Sequence, residues 1–469
     1  MTILNHSRRL IDMSQSVEAP TAARSLWHDR NFLTIWSGQA LSQLGAQVAE
    51  LAVPVMAVLM LDASEFELGV LNAANVAAFL LIGLPAGAWI DRLRKRHVMI
   101  AADAVRAIAL AALPLLWWAG MLQVWHMVGV ALVLGVATVF FDVSYQSLVP
   151  SLVPSRQIAE ANGKFESTAQ LANIGGPAAA GWLVGAVTAP LAVLATVGTY
   201  LASMIALLFT RDHERVAAAH EHDPLLRSIG EGLRWVFGNR LLRRIVATTS
   251  VSNLFSTLSF TLLPIFLLRE LGLSPESMGI IFALGAVGGL AGAIATPHIV
   301  RRIGEAPAIP VSSIAFSLAG LALPAVALVP ALAFPLLVLQ SFAMSFAVLV
   351  YNITQVTFRQ RITPHRLLGR MNASIRFVVW GVMPIAALIA GGLGEWLGTV
   401  TTMWIGAIGG LLSATFVVFG PFWTMRSLPD APSDEPADGA ADVPVEGPAA
   451  ESAVGVADGP GDEPAAGGR

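Results

Sequence analysis

Cysteine is absent from this chain of 469 residues, which excludes disulfides, thiol chemistry and cysteine-ligated metals. Charge is scarce too. Asp, Glu, Lys and Arg make up 13% of the residues, against about 25% in a soluble protein. No Gly-x-x-x-x-Gly-Lys-Ser/Thr run is present, and Gly163-Lys164-Phe165 does not make one, so nothing here would cradle the phosphates of ATP. The nine histidines show no metal-ligand spacing. The polar opening stretch, with Arg8, Arg9, Arg24 and Arg30, lacks the apolar core of a cleavable signal. An enzyme is therefore not expected, and neither is a cofactor, a metal or a nucleic-acid partner.

What the chain has in abundance is apolar sequence: 55% hydrophobic residues and a mean hydropathy of +0.68. Apolar stretches run at 32–61, 67–90, 98–119, 125–149, 163–188, 190–209, 243–268, 274–300, 308–329, 332–357, 371–394 and 399–424. Each is long enough to cross ~30 Å of hydrocarbon at ~1.5 Å per helical residue. Backbone groups in lipid must bond internally, so these stretches are expected to be helices. The expected fold is an all-α membrane protein of twelve transmembrane helices. The net charge of −3 conceals a basic body, because from Leu428 onward ten acids face a single base, Arg469.

The loops orient the chain. One set of alternate loops holds Arg92, Arg94, Lys95 and Arg96, then Arg156, the 210–242 linker, Arg301 and Arg302, and finally Arg359, Arg361, Arg366 and Arg370. The other set holds one base, Arg269, among Asp62, Glu65, Glu67 and Glu270. The positive-inside rule then places both termini in the cytoplasm. With two Lys against 26 Arg, compatible with a GC-rich bacterium, the expected home is the bacterial plasma (inner) membrane.

The two halves repeat at an offset of 210: Pro54 maps to Pro264, Gly69 to Gly279, Pro154 to Pro364, Asn162 to Asn372 and Gly181 to Gly391, while Gln43 maps to Asn253 and Asp142 to Asn352. Two six-helix halves of one orientation imply a pseudo-two-fold axis along the membrane normal and a cavity between them. The expected organisation is a cytoplasmic arm at 1–31, a six-helix bundle at 32–209, a linker at 210–242, a second bundle at 243–425 and a disordered acidic tail at 426–469. In the linker, Leu225, Ile229, Leu233, Val236 and Phe237 recur at helical spacing, as in an interfacial amphipathic helix.

After the second span the chain reads Gly87-Ala-Trp-Ile-Asp91-Arg92-Leu-Arg94-Lys95-Arg96. Together with the twelve spans and the repeat, this resembles the major facilitator superfamily, whose loop signature is Gly, three residues, Asp, Arg and a basic pair. Arg30 to Gly45 and the run Gly176-Pro177 in the fifth span are similar to the enterobactin-exporter, macrolide-efflux and drug–proton antiporter branch. The resemblance implies a secondary active transporter, and above all proton-coupled efflux of a hydrophobic or amphipathic small molecule (drug, macrolide or siderophore) by alternating access. A transport-inactive sensor or scaffold on the same fold, and an uptake transporter, are the competing readings. It also makes Gly87, Asp91, Arg92, Lys95 and Arg96 a conformational latch, with Asp91 bonding near Arg370–Asn372. Anionic lipid at the cytoplasmic face is an expected partner, and the expected state is a monomer.

Ionisable groups within a span cost ~2.5–3.5 kcal/mol to insert, so each demands a partner or a task. Gln39, Gln43, Gln47, Glu50 and Pro54 fall within about 80° of arc on one helix face. Glu50 and Asp142 are the proton-coupling candidates. Gln43, Gln47, Gln146, Gln170, Asn173, Asn253 and Asn352 are the candidates for the substrate cavity. Asp103 and Arg106 stand three apart and are expected to pair; Glu166 and Arg376 are expected to form ion pairs at a gate.

Overall fold

The computed structural model describes residues 25–90, 93–154, 157–210, 225–364 and 367–425. The acidic tail and most of the expected N-terminal arm lie outside the described residues, and so do Asp91 and Arg92. Among the described residues there is no strand. Twelve long helices form among the described residues, as the apolar spans require: α1 (Arg30–Met60), α2 (Glu65–Ile90), α3 (Lys95–Trp118), α4 (Val124–Leu152), α5 (Ile158–Val187), α6 (Ala189–Phe209), α8 (Arg240–Ile265), α9 (Pro275–Ile303), α10 (Glu305–Ala325), α11 (Ala333–Arg361), α12 (Leu368–Leu397) and α13 (Thr399–Val418). A shorter helix, α7 (Leu225–Gly238), lies in the linker. Ten of the twelve are apolar enough to cross a membrane by length and composition. The other two, α2 and α5, have 26 and 30 residues and meet the same length requirement.

Local chemistry sets several boundaries a few residues away from the apolar runs. Ser64 and Glu67 form a capping box, each side chain accepting the other's backbone N–H at 3.2 and 3.0 Å, so α2 starts at Glu65. The Asn239 side chain accepts from the N–H groups of Leu241 and Leu242 at 2.9 and 3.2 Å. That cap starts α8 at Arg240, three residues before the expected start of the second bundle at 243.

The halves are joined by two crossings in which glycine faces backbone. A Cβ on Gly69 of α2 would stand 2.7 Å from the Ala387 carbonyl oxygen and 2.9 Å from Gly391 Cα on α12. A Cβ on Gly279 of α9 would stand 2.3 Å from the Pro177 carbonyl oxygen and 3.0 Å from Gly181 Cα on α5. Both partners of each contact are related by the 210-residue offset, so the two crossings are copies of one another. Lipid tails are as apolar as leucine, so helices associate here through close van der Waals approach, which only small residues permit. The repeat extends to the turns. Asp62 and Gly272 share a left-handed backbone at φ 51° and 61°, and Thr188 and Gly398 share one at φ 86° and 85°. The first half thus holds ordinary residues in a conformation for which the second uses glycine.

The linker helix docks on the second half. Gly232 faces the Arg370 carbonyl oxygen and the Ser374 side chain of α12, where a Cβ would stand 2.3 and 2.2 Å away. Its neighbour Glu231 forms an ion pair with Arg370, and Val236 is buried. Phe237, expected on the apolar face, is instead 47% exposed.

Gly279→Val should force α9 away from α5 and cost about 1–3 kcal/mol, as overpacking of a tight contact does. Gly392→Val, where no atom lies within 4 Å, is the control. Thermal unfolding of the two purified variants checks this, and equal melting temperatures would count against the crossing as a structural constraint.

Candidate transport site

Helix α1 presents two opposed faces. Gly38 and Gly45 take α6, with prospective Cβ positions 2.9 Å from Ala206 Cβ and 1.9 Å from Thr199 Oγ1, and Thr196 Oγ1 donates to the Gly45 carbonyl at 3.0 Å. At ~100° per residue, Gln43, Gln47 and Glu50 lie roughly 120–180° round from those glycines. The polar face therefore turns away from α6, whose own outer side carries exposed Leu201, Ile205 and Leu208. It borders α5 instead: Gln47 Nε2 donates to Asn173 Oδ1 at 3.0 Å, and Trp36 Nε1 donates to Thr168 Oγ1 at 3.0 Å. Glu50 is exposed although it lies well inside the apolar span. Gln43 and Gln47 are half-buried.

Helix α5 continues this polar surface. Gln170 and Asn173 are exposed, and Gln170 Nε2 donates to Glu166 Oε1 at 2.8 Å. On α4, Gln146 is exposed and Asp142 half-buried. In the second half Asn352 of α11 is exposed, whereas Asn253 is half-buried and its amide donates to the Val379 carbonyl at 3.1 Å, bonding α8 to α12. Glu166 and Arg376 do not pair with one another. Arg376 lies over Trp380 at 5.1 Å, which engages its charge locally.

Behind Asp142 lies a buried ionic cluster. Arg106 Nη1 donates to Asp103 Oδ1 at 3.3 Å, the residues being 3% and 0% exposed, as the i, i+3 spacing predicts. The guanidinium sits 4.3 Å from the Phe141 ring centroid and 5.4 Å from that of Tyr200, which brings α3, α4 and α6 together around one charge. Asp103 Oδ2 and Arg106 Nε find no protein partner. Among the described residues no group of three or more His, Asp or Glu gathers where a metal could be held.

Of the loop residues, Gly87 lies within α2, while Asp91 and Arg92 are outside the described residues. Lys95 is 8% exposed at the start of α3. Arg96 donates from Nε and Nη2 to the carbonyls of Leu207 and Leu208 at 2.8 and 2.7 Å, closing the C-terminal end of α6 within its own half. A clamp that residue order did not announce stands at the opposite end. Arg269 Nη2 reaches Asp62 Oδ1 at 2.8 Å, the Ala63 carbonyl at 3.1 Å and the Val58 carbonyl at 3.4 Å, across the two halves. Thr399 Oγ1 donates to Glu65 Oε1 at 3.1 Å beside it, again across the halves. The signal was available, since Arg269 is the single base among acids in its set of loops.

The comparisons agree with this architecture. A family model described as the Major Facilitator Superfamily matches residues 35–387. The multidrug efflux pump Tap of Mycolicibacterium fortuitum is 23% identical over 377 residues, covering 78% of this chain and 89% of that protein. Macrolide efflux protein A of Streptococcus pyogenes is 28% identical over a shorter stretch of 155 residues, covering 32% of this chain and 37% of that protein. Among solved structures, a bacterial homologue of the iron transporter ferroportin in an inward-facing state superposes with a TM-score of 0.66 at 17% identity, covering 85% of this chain and 100% of that one. At that identity the likeness is one of fold.

Replacing Arg269 with Gln should raise the population open at the acidic end by a few-fold, since exposed charge pairs are worth ~0.2–1 kcal/mol. Spin labels at the exposed positions Met121 and Leu328 would report it as a growing long-distance component. An unchanged distance distribution would show that the clamp does not hold this end closed.

Proposed function

The chain belongs to the Major Facilitator Superfamily, and we propose that within it the protein is a proton-coupled exporter of a hydrophobic or amphipathic small molecule. The observation that carries this reading is Glu50. It is an accessible carboxylate inside an apolar span, on the helix face turned away from α6 and flanked by Gln43 and Gln47. A charge at that depth is costly and a neutral acid much less so. Protonation and release can therefore be tied to which end of the molecule is open. Asp142, on α4 and within reach of the field of Arg106, is the second coupling candidate. Gln146, Gln170, Asn173 and Asn352 offer hydrogen bonds to a ligand otherwise held by apolar walls. The names of the efflux relatives favour export as the direction.

In this reading the basic end faces the cytoplasm of a bacterium, with both termini on that side and the protein working as a monomer. Gly87, Asp91 and Arg92 would hold that end closed in the outward-facing state. The linker ion pair of Glu231 and Arg370 lies where Asp91 is expected to dock.

Inside-out vesicles with an imposed proton gradient test the coupling, using erythromycin and ethidium as probes. Wild type should concentrate a probe in a way an uncoupler abolishes. Glu50→Gln should transport no faster than uncoupled wild type, and Asp142→Asn should be slowed. Full proton-driven accumulation by both variants would eliminate these residues as coupling sites, and accumulation only in right-side-out vesicles would mean uptake.

A further inference from the structure

Away from the interface between the halves, the outer surface of the first bundle carries an apolar groove of about 430 Å³ between α3 and α4. Val98 and Val105 of α3 form one wall, Leu132, Val136 and Phe140 of α4 the other, and Leu93 of the basic loop closes one end. Ala101 and Ala137 stand where larger side chains would fill the space. Leu93, Val105 and Leu132 are 48%, 43% and 45% exposed, so the groove opens outward. From Val98 to Val105 it follows α3 for roughly 11 Å at the helical rise, running from the basic end toward the middle of the span.

Two features at the basic end name the occupant. Trp89, 52% exposed, stacks on Phe140 with centroids 6.2 Å apart and planes at 11°. An exposed tryptophan at a span end belongs at the level of lipid headgroups. Arg94, one residue after Leu93, is exposed and forms no ion pair among the described residues. Its basic neighbours are less available, because Lys95 is buried and Arg96 is bonded to the end of α6. His97, also exposed, is a further titratable side chain beside it.

We propose that this groove binds one anionic phospholipid of the leaflet at the basic end, an acyl chain lying between α3 and α4 and the phosphodiester resting on Arg94. Apolar packing alone does not distinguish one lipid from another, since every tail is equally apolar. Selectivity then comes from the headgroup. One basic side chain at an anionic lipid surface is worth about fivefold in affinity. The site is separate from the polar face of α1, so its test does not depend on what the protein transports.

Native mass spectrometry of the delipidated full-length protein, titrated with phosphatidylglycerol and phosphatidylcholine of matched chains, reads the site directly. The first phosphatidylglycerol should bind about fivefold more tightly than the first phosphatidylcholine. Arg94→Gln should bring the two affinities together. Val136→Trp, which fills the groove, should abolish the tight first event, and Ala101→Phe on the facing wall should do the same if Val136→Trp does not elute as folded protein. Equal binding of the two lipids by wild type would overturn the proposal. So would a preference that survives groove filling, or displacement of the bound lipid by erythromycin, which would make the groove an entry for substrate.

Discussion

Close backbone contact between the two halves is the constraint on which the rest of the structure depends. In a bilayer no hydrophobic force drives apolar helices together, and what remains is dispersion, which decays steeply with separation. The α2–α12 and α5–α9 crossings meet that limit with glycine against backbone. Because they are copies related by the internal repeat, the halves approach symmetrically at the acidic end. The Arg269 clamp and the Thr399–Glu65 bond add polar contacts at the same end. Large rigid bundles joined at such narrow contacts are suited to rocking.

Within that symmetric frame the chemistry is asymmetric. Glu50, Asp103, Asp142 and Glu166 have Phe260, Ser313, Asn352 and Arg376 at the repeat positions, so the acids of the first half's spans are absent from the second. The structure adds a division within the acids. Glu50 is accessible on a polar face, whereas Asp103 is sealed against Arg106 between two aromatic rings. The same kind of residue stays accessible in one place and closes a buried ionic contact in another, and the difference lies in what surrounds it. The second half keeps neutral amides, and one of them, Asn253, is already bonded to the backbone of α12. Acids in the spans of the first half and neutral amides at the matching places of the second make the two bundles chemically unequal.

Much of this was legible in residue order. Apolar length announced the helices, because lipid leaves the backbone no other way to bond. The 210-residue offset announced the symmetry, and Gly69, Gly181, Gly279 and Gly391, matched only as sequence, prove to be the four glycines of the two crossings. The Asp103–Arg106 pair was legible from its spacing. The ion pairs expected of Glu166 and Arg376 at a gate are not formed among the described residues: each is held by a neighbour one helical turn along its own helix, Gln170 and Trp380. Arg96 belongs to the loop motif by position, but its reach to α6 is not written along the chain.

The sequence by itself determined the number of spans, the repeat, the polarity of the two ends and which helix face is polar, because these depend on composition and period alone. The tertiary structure decided which members of that polar face stay accessible, and which polar groups spend their hydrogen bonds on a neighbouring helix. It also decided that Arg269 joins the two halves and that a groove remains between α3 and α4. Those outcomes depend on contacts between residues up to 334 positions apart. Periodicity within one helix carries no information about them.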